Sequence, residues 1–340
     1  MNNLRTKLLL SSIVSNHFRE VAQKSSGLSG TELSQYAEVL AANSLSYIIE
    51  NGHKMYKIYT IPKRSGGHRI IAHPSKDLKA FQRALVDLLS SKIKEHDAAY
   101  AYRKNVSIRD NAIVHSQNEY LLKMDFLNFF NSIDKMLIKA AFKNHGLKIA
   151  KSDFDILKSI IFWSPTKSKR GKFILSVGAP SSPMLSNLVL YQFDEAMESI
   201  CRSLEVTYSR YADDIFFSTD KPNTLKDIPD FVKYFLNMIY GDKLRVNAAK
   251  TKFTSKAHNR HVTGIVINNE CKISLGRAKK RYIKSLVFKS SKGHLCIDDM
   301  QKLQGLLAYA KHIEPMFIAR LKRKFGDSLI IELQTGSWRG

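Results

Sequence analysis

Two adjacent carboxylates, Asp213 and Asp214, stand between short apolar runs with the composition of β-strands, Leu204 to Tyr208 and Ile215 to Ser218. Paired acids at the tip of a hairpin suit divalent metal ions, because Mg²⁺ prefers hard oxygen ligands and two such ions can clamp the attacking and leaving oxygens of a phosphoryl transfer. The same residues suit an ordinary turn, because aspartate tolerates turn dihedrals. Taken alone, the pair leaves both interpretations open.

A third carboxylate, Asp125, ends the apolar run from Leu121. A charge at the end of a buried strand is costly unless a metal ion or a basic group compensates it, although a capping role at the turn before Phe126 would also explain this acid. Asp125 lies far from Asp213 along the chain, so only a fold that pairs their strands can bring the acids together. Joined to Asp213 and Asp214, it predicts an antiparallel sheet with an acid at the end of each central strand.

The composition points to a folded protein that binds polyanions. The chain has 340 residues, of which 44% are hydrophobic, and 54 lysines and arginines against 30 acidic residues give a net charge of +24. We expect two or three subdomains and nucleic acid as the first partner, because a positive field attracts polyanions and releases their counterions on binding. No basic amphipathic helix, lipidation motif or long apolar run indicates a membrane partner.

The cysteines and the first residues indicate a cytoplasmic protein. Only Cys201, Cys271 and Cys296 occur, which argues against a disulfide framework and a clustered zinc site. The apolar run within Met1 to Val14 is too short for a secretory leader, and we expect it to begin a helix.

Hydrophobic periodicity predicts the elements that position these acids. The predicted helices cover about 4–51, Leu78 to Leu89, the region after Ser182, Ile228 to Tyr240, and three basic stretches after Gly276. The predicted strands are Met55 to Ile61 and Arg69 to Ala72 as a hairpin, Leu121 to Asp125, and Val262 to Ile267 as one strand.

From about Tyr56 to Tyr309 the sequence resembles the reverse transcriptases. In the order the family presents them, the matching segments are Ile61 to Lys63 with Gly66 to Arg69 (fingers hairpin), Lys123 to Phe126 (first metal-binding strand), Gly178 to Pro183 (template-positioning loop) and Tyr211 to Asp214 (catalytic hairpin). Two further segments resemble motifs of bacterial retron reverse transcriptases in particular, namely Asn111 to His115 (asparagine-alanine-x-x-histidine) and Val262 to Gly264 (valine-threonine-glycine).

The resemblance implies an α+β right-hand polymerase, with a palm built on an antiparallel sheet flanked by helices and with a helical thumb. The implied domains are an N-terminal helical extension (1–55), fingers (56–118), a palm (119–270) with an interleaved fingers segment at about 145–176, and a thumb with a C-terminal tail (271–340).

The resemblance also implies a site with two Mg²⁺ ions. Asp125 and Asp213 would be the principal ligands, the backbone carbonyl of Phe126 would assist, and Asp214 would shape the site more than bind metal directly. Lys250 would protonate the leaving pyrophosphate, although Lys252 is an alternative for that role.

The remaining implied contacts concern the nucleotide. Arg69 would grip the triphosphate through two parallel hydrogen bonds, and Lys63 would add a point charge. Phe130 would be the steric gate that crowds a ribose 2′-hydroxyl, while Phe126 or Phe129 packs the core. Val177 stands where relatives commonly have glutamine, which replaces a hydrogen-bonding side chain near the nucleotide with an apolar one.

The RNA-facing residues implied by resemblance form a larger set. Asn111 and His115 are expected either to contact RNA or to support an RNA-facing surface, and the basic thumb is expected to grip duplex through its phosphates. The full set is Asn111, His115, Val262, Thr263, Gly264, Arg277, Lys280 and Arg281.

The implied activity is RNA-directed DNA synthesis from deoxynucleoside triphosphates. A retron enzyme would copy a cognate structured non-coding RNA, prime from an RNA 2′-hydroxyl, make a branched RNA–DNA product (msDNA) and act in anti-phage defence with an accessory effector protein. The alternatives are another bacterial reverse transcriptase of the group II intron-like or abortive-infection kind, and a non-catalytic RNA-binding protein on the same fold.

Overall fold

A computed structural model describes residues 4–62 and 66–337. In chain order the helices are α1 (Leu4–Leu9), α2 (Ser12–Ser26), α3 (Gly30–Asn51), α4 (Lys76–Ser90), α5 (Ile108–Val114), α6 (Phe129–Ser132), α7 (Lys135–Asn144), α8 (Lys151–Ile161), α9 (Ser182–Ser203), α10 (Ile228–Tyr240), α11 (Arg277–Ser291), α12 (Ile297–Ile313), α13 (Pro315–Phe325) and α14 (Asp327–Thr335). The strands are β1 (Tyr56–Pro62), β2 (His68–Pro74), β3 (Tyr120–Asp125), β4 (Phe162–Trp163), β5 (Ile174–Leu175), β6 (Thr207–Tyr211), β7 (Asp214–Thr219), β8 (Lys252–Ser255), β9 (Arg260–Val262), β10 (Ile265–Ile267) and β11 (Ile273–Ser274).

The chain divides into two compact units. Unit 1 contains Met1–Tyr102, Phe126–Met197 and Asp230–Asn247, and unit 2 contains Arg103–Asp125, Glu198–Pro229 and Ala248–Gly340. These units follow packing within the structure, whereas the domain boundaries given above follow the family resemblance and stay a prediction.

Unit 1 contains the N-terminal helices and the β1–β2 hairpin. The hairpin is antiparallel and pairs Tyr56 with Pro74 and Pro62 with His68, which confirms the predicted pairing. Its base is buried at Tyr56 and Ala72, and Gln82 of α4 donates a hydrogen bond of 3.1 Å to the Tyr56 hydroxyl. Its outer half is exposed on both strands, so the hairpin is anchored at one end.

Unit 2 is organised around a four-stranded sheet with the order β6-β7-β3-β8. β3 pairs antiparallel with β7 on one side and with β8 on the other. Four of the six β3 residues are buried, as expected for a strand with a neighbour on each side and apolar packing against it. The chain thus brings the predicted strands of Asp125 and Asp214 side by side.

A second, smaller sheet in unit 2 corrects the predicted strand from Val262 to Ile267. This segment forms two antiparallel strands, β9 and β10, with Ile265 opposite Val262. The turn residues Thr263 and Gly264 both have positive φ, of 48° and 80°. A two-residue turn of this kind matches the right-handed twist of the strands, and an alternating apolar pattern alone does not reveal it.

The basic C-terminal helices share one apolar core with the strands of unit 2. Ile283, Leu303, Leu307 and Phe317 are fully buried in that core. At the junction of α12 and α13, Glu314 accepts hydrogen bonds from Lys280 and Arg320, both at 2.7 Å. Burial pushes the pKa of Glu314 upward, but these bonds and one from the Leu275 backbone outweigh it and hold the pKa below its usual range. The ion cluster ties the basic helices together.

Within the described part of the chain, none of the helices has the length and hydropathy needed to cross a membrane.

Candidate active site

The candidate site lies at one end of the four-stranded sheet in unit 2. Asp125, the last residue of β3, is directly opposite Asp214, the first residue of β7. Tyr211 of β6 is also opposite Asp214, so Ala212 and Asp213 form a two-residue turn. The sheet therefore gathers Asp125, Asp213 and Asp214 at one edge, as the sequence predicted.

The turn between β6 and β7 has an unusual backbone. Ala212 has a φ of 57°, in the left-handed region that non-glycine residues rarely adopt. Such a conformation costs on the order of 1–3 kcal/mol and persists where the surroundings determine it. The fully buried Arg210 donates a hydrogen bond of 3.3 Å to the Ala212 carbonyl, and this contact supports the turn.

Lys123 compensates the Asp214 carboxylate. Its Nζ lies 2.8 Å from Asp214 Oδ1 and 5.3 Å from the centroid of the Phe216 ring. Burial raises the pKa of Asp214 above its usual range, with the charge of Asp125 adding to the rise and the hydrogen bond from Lys123 opposing it. Asp214 thus lies in a place where negative charge is costly and positive charge is favoured.

Lys250 compensates the Asp125 carboxylate. Its Nζ lies 2.8 Å from Oδ1 and 2.9 Å from Oδ2, and it ends a short 3₁₀ turn, Ala248–Lys250, just before β8. Lys252 is opposite Lys123 in the β3–β8 register and is exposed. Of the two lysines considered for proton transfer, Lys250 is the one in contact with an active-site carboxylate.

Comparisons with known proteins agree with this geometry. The family described as reverse transcriptase (RNA-dependent DNA polymerase) matches residues 61–267. The chain is 45% identical over 285 residues to the retron Ec83 reverse transcriptase of Escherichia coli, covering 84% of this chain and 91% of that protein. It is 35% identical over 281 residues to the retron Ec73 reverse transcriptase of Escherichia coli, covering 79% and 86%.

The chain belongs to the retron reverse transcriptases.

This retron reverse transcriptase is an RNA-directed DNA polymerase with the α+β right-hand fold of its family, which confirms the fold class and the enzyme class predicted from sequence. Among solved structures, apo telomerase from Candida Tropicalis aligns with a TM-score of 0.48 and 15% identity, over 84% of this chain and 62% of that chain. That likeness is too distant to argue from.

Reverse transcriptases use divalent metal ions, and the donor set of this retron enzyme fits such ions. Asp125 and Asp214 face each other on neighbouring strands, and each binds a lysine ammonium at 2.8 Å, so the site already holds positive charge at both carboxylates. Within residues 4–62 and 66–337, no three acidic, histidine or cysteine side chains are already gathered as a metal cage.

Among the residues predicted to contact the nucleotide, Arg69, Phe126 and Phe130 fall in unit 1, whereas Lys250 falls in unit 2. Arg69 is exposed on β2, opposite Ile61, while Lys63 lies outside the described residues. Val177 is half-buried just before Gly178, whose φ of 113° demands glycine. The nucleotide-binding roles of these residues stay predictions.

The three phenylalanines after Asp125 divide as the sequence predicted. Phe126 and Phe129 are buried and stack with ring centroids 5.4 Å apart, while Phe130 is only half-buried. Phe126 and Phe129 therefore pack the core, and Phe130 retains surface for a contact with substrate. The part that the Phe126 carbonyl plays in metal binding stays a prediction.

The residues predicted to face RNA separate into buried and exposed groups. Asn111 and His115 are buried with exposed fractions of 0% and 1%, and Val262 is fully buried. Of the two roles expected for Asn111 and His115, the burial of both side chains favours support of a surface over direct contact.

The other residues lie on α11 and on the turn between β9 and β10, where Thr263 is half-buried and Gly264 is exposed. Arg277 and Arg281 are exposed, whereas Lys280 is half-buried by its ion pair with Glu314. The two arginines are therefore more accessible than Lys280 for direct contact with RNA phosphates.

Sequence reasoning gave no role to Lys123 or Arg210, which the structure places at the site. The signal for Lys123 was available, because residues two apart on a strand point to the same face, which puts Lys123 beside Asp125. No sequence pattern predicts the role of Arg210, because its burial and its hydrogen bond to the turn are visible only in the structure.

Replacement of Lys250 with methionine should slow nucleotide addition about 100-fold or more, because a proton donor contributes on this scale and a cation at Asp125 is lost. Single-turnover primer extension on an RNA template checks this. Lys252→Met is the matched control, with the same substitution at an exposed position two residues away, and it should have a much smaller effect. Equal losses in the two variants would contradict the assignment.

Proposed function

We propose that this retron reverse transcriptase copies one cognate structured non-coding RNA, starts synthesis from a 2′-hydroxyl within that RNA and produces branched RNA–DNA. The observation that carries the proposal is the pair of retron motifs within unit 2. Thr263 donates a hydrogen bond of 3.2 Å to the Ile108 carbonyl, so the valine-threonine-glycine turn is fastened to the helix that bears Asn111. The identity to two retron enzymes extends over most of the chain and supports the same proposal.

The chemistry we assign is attack of the primer hydroxyl on the α-phosphate of a deoxynucleotide, with pyrophosphate leaving. When bound, two Mg²⁺ ions would stabilise the charge on the attacking and leaving oxygens. Asp125 and Asp213 would hold them, with assistance from the Phe126 carbonyl. Asp214, which is paired with Lys123, would shape the site, and Lys250, which is paired with Asp125, would donate an ammonium proton to the leaving pyrophosphate.

The nucleotide would be held by residues of unit 1. Arg69 projects from an exposed strand, where a guanidinium can bind triphosphate oxygens through two parallel hydrogen bonds. Lys63 precedes it in the same hairpin segment of the sequence and would add charge.

The RNA would be held mainly through its phosphates by the basic surface of unit 2. Arg277, Arg281 and Lys284 are exposed on α11, on a chain whose net charge is +24. A-form duplex is recognised largely through its shape and backbone, so exposed cations on a rigid helix suit it. The product and an accessory effector protein would complete a complex that acts in anti-phage defence.

Sequencing of the nucleic acid that copurifies with the protein from its native host tests the proposal. We expect one abundant RNA species joined to DNA through a 2′–5′ bond, which a debranching enzyme releases as separate strands. A heterogeneous mixture of cellular RNA with no attached DNA would contradict the retron-type reaction and would favour a group II intron-like or abortive-infection enzyme.

Replacement of Phe130 with valine should raise ribonucleotide incorporation relative to deoxynucleotide incorporation, because a smaller side chain no longer excludes the 2′-hydroxyl. The measurement is the ratio of kcat/KM for the two nucleotides. Phe129→Val, which alters the buried neighbour, should lower stability but preserve the ratio. An unchanged ratio in the Phe130 variant would place the sugar discrimination elsewhere.

A further inference from the structure

The His115 side chain hydrogen-bonds to both strands of the catalytic hairpin, β6 and β7. Its Nδ1 lies 2.7 Å from the Ser218 hydroxyl of β7, and its Nε2 lies 2.7 Å from the Ser209 hydroxyl of β6. The ring is buried, with 1% of its surface exposed. A single side chain outside the sheet thus fastens the two strands that meet at Asp213 and Asp214.

The surrounding hydrogen bonds determine which group donates in each of the two bonds between His115 and the serines. The Asn118 amide donates to the Ser218 oxygen at 2.7 Å, and the Ser209 hydroxyl donates to Asn111 Oδ1 at 2.6 Å. Because the Ser209 hydroxyl donates its proton to Asn111, its oxygen accepts from Nε2–H of His115. Nδ1 therefore accepts from the Ser218 hydroxyl, so the His115 ring and the two serine hydroxyls each donate one hydrogen bond and accept at least one.

The ring is neutral in this network. Burial lowers the pKa of His115 to about 3. A protonated ring would donate from both nitrogens and would leave the Ser218 hydroxyl, which already accepts from Asn118, without its acceptor.

The network and the acids lie on one face of the sheet. In the β6–β7 register Ser209 is opposite Phe216 and Ser218 is opposite Thr207, and residues two apart on a strand share a face, so Asp214, Phe216 and Ser218 point the same way. The centroid of the His115 ring lies 6.1 Å from that of the Phe216 ring. Lys123, whose ammonium pairs with Asp214, lies over the same Phe216 ring. A displacement of His115 would therefore shift the Phe216 ring and, through it, Lys123 and Asp214.

We propose that His115 is a positioning residue for DNA synthesis, which as a neutral Nε2–H tautomer locks β6 to β7 and so fixes the catalytic acids. The proposal rests on the function proposed for Asp213 and Asp214. It assigns the spacing of Asn111 and His115 to this lock, because residues four apart at the end of α5 reach the same hydroxyl, that of Ser209.

The test compares His115→Phe with Ser209→Ala and Ser218→Ala in primer extension at saturating RNA template. His115→Phe keeps a ring in the core and removes both hydrogen bonds, whereas each serine variant removes one. We expect kcat to fall roughly 10- to 100-fold in His115→Phe, the scale expected of a small misplacement of catalytic groups. KM for the nucleotide and the Kd for RNA should stay within about twofold.

A double-mutant cycle and a stability control separate positioning from general loss of structure. The combined His115→Phe/Ser209→Ala variant should lose little more than His115→Phe alone, because both changes break one interaction. Leu307→Val, at a fully buried position of the helical core, should lower the Tm without lowering kcat.

The outcomes are distinguishable. Unchanged kcat in a folded His115→Phe variant, or a loss confined to RNA affinity, would overturn the proposal. If His115→Phe does not fold, a wild-type kcat in Ser209→Ala and Ser218→Ala overturns it, and a reduced kcat with unchanged KM supports it. Failure of the wild-type protein to extend any primer would instead overturn the proposed function.

Discussion

Two carboxylates, Asp125 and Asp214, lie opposite each other on neighbouring antiparallel strands, and the cost of negative charge there governs how the site is built, because burial raises the pKa of Asp214 and the charge of Asp125 adds to the rise. Like charges this close are stable only when cations stand beside them. Lys250 supplies that cation to Asp125 and Lys123 supplies it to Asp214, each at 2.8 Å. The same requirement favours divalent metal ions, so the charge that stabilises these acids also suits the proposed chemistry.

Several other features of unit 2 serve to hold those acids in place. The left-handed Ala212 makes the turn tight enough to bring Asp213 next to Asp214, and buried Arg210 supports it. Further along the same strands, the hydrogen bonds of His115 fasten Ser209 to Ser218. Buried polar groups are costly when unpaired, so the hydrogen bonds of the His115 ring and the two serine hydroxyls favour one arrangement of the hairpin. The basic helices pack against the same apolar core, which includes Phe216.

The sequence predicted the elements with strong periodicity and the residues with a motif around them. The β1–β2 hairpin, the strand that ends at Asp125, and α10 with its end before Gly241 all appear as expected. The prediction for Val262 to Ile267 was wrong, because a turn at Thr263 and Gly264 interrupts an apolar pattern that looks continuous.

Contacts made across the fold were beyond the sequence for a different reason. Lys123 compensates an acid 91 residues away only because β3 and β7 are in one particular register. His115 meets Ser218 at a separation of 103 residues, and no local pattern encodes that meeting. Its motif indicated that the position matters, and the burial of the side chain then favoured support over contact with RNA.

We expect the acids at the end of this sheet to perform the chemistry while a separate basic surface holds the RNA. Asp213→Asn tests it most directly, with primer extension and RNA binding measured on the same preparation, and with Asp220→Asn, an exposed acid at the far end of β7, as the matched control. Asp213→Asn should abolish extension and leave the Kd for RNA nearly unchanged, whereas Asp220→Asn should retain both extension and RNA binding. DNA synthesis at the normal rate by the Asp213 variant would contradict it.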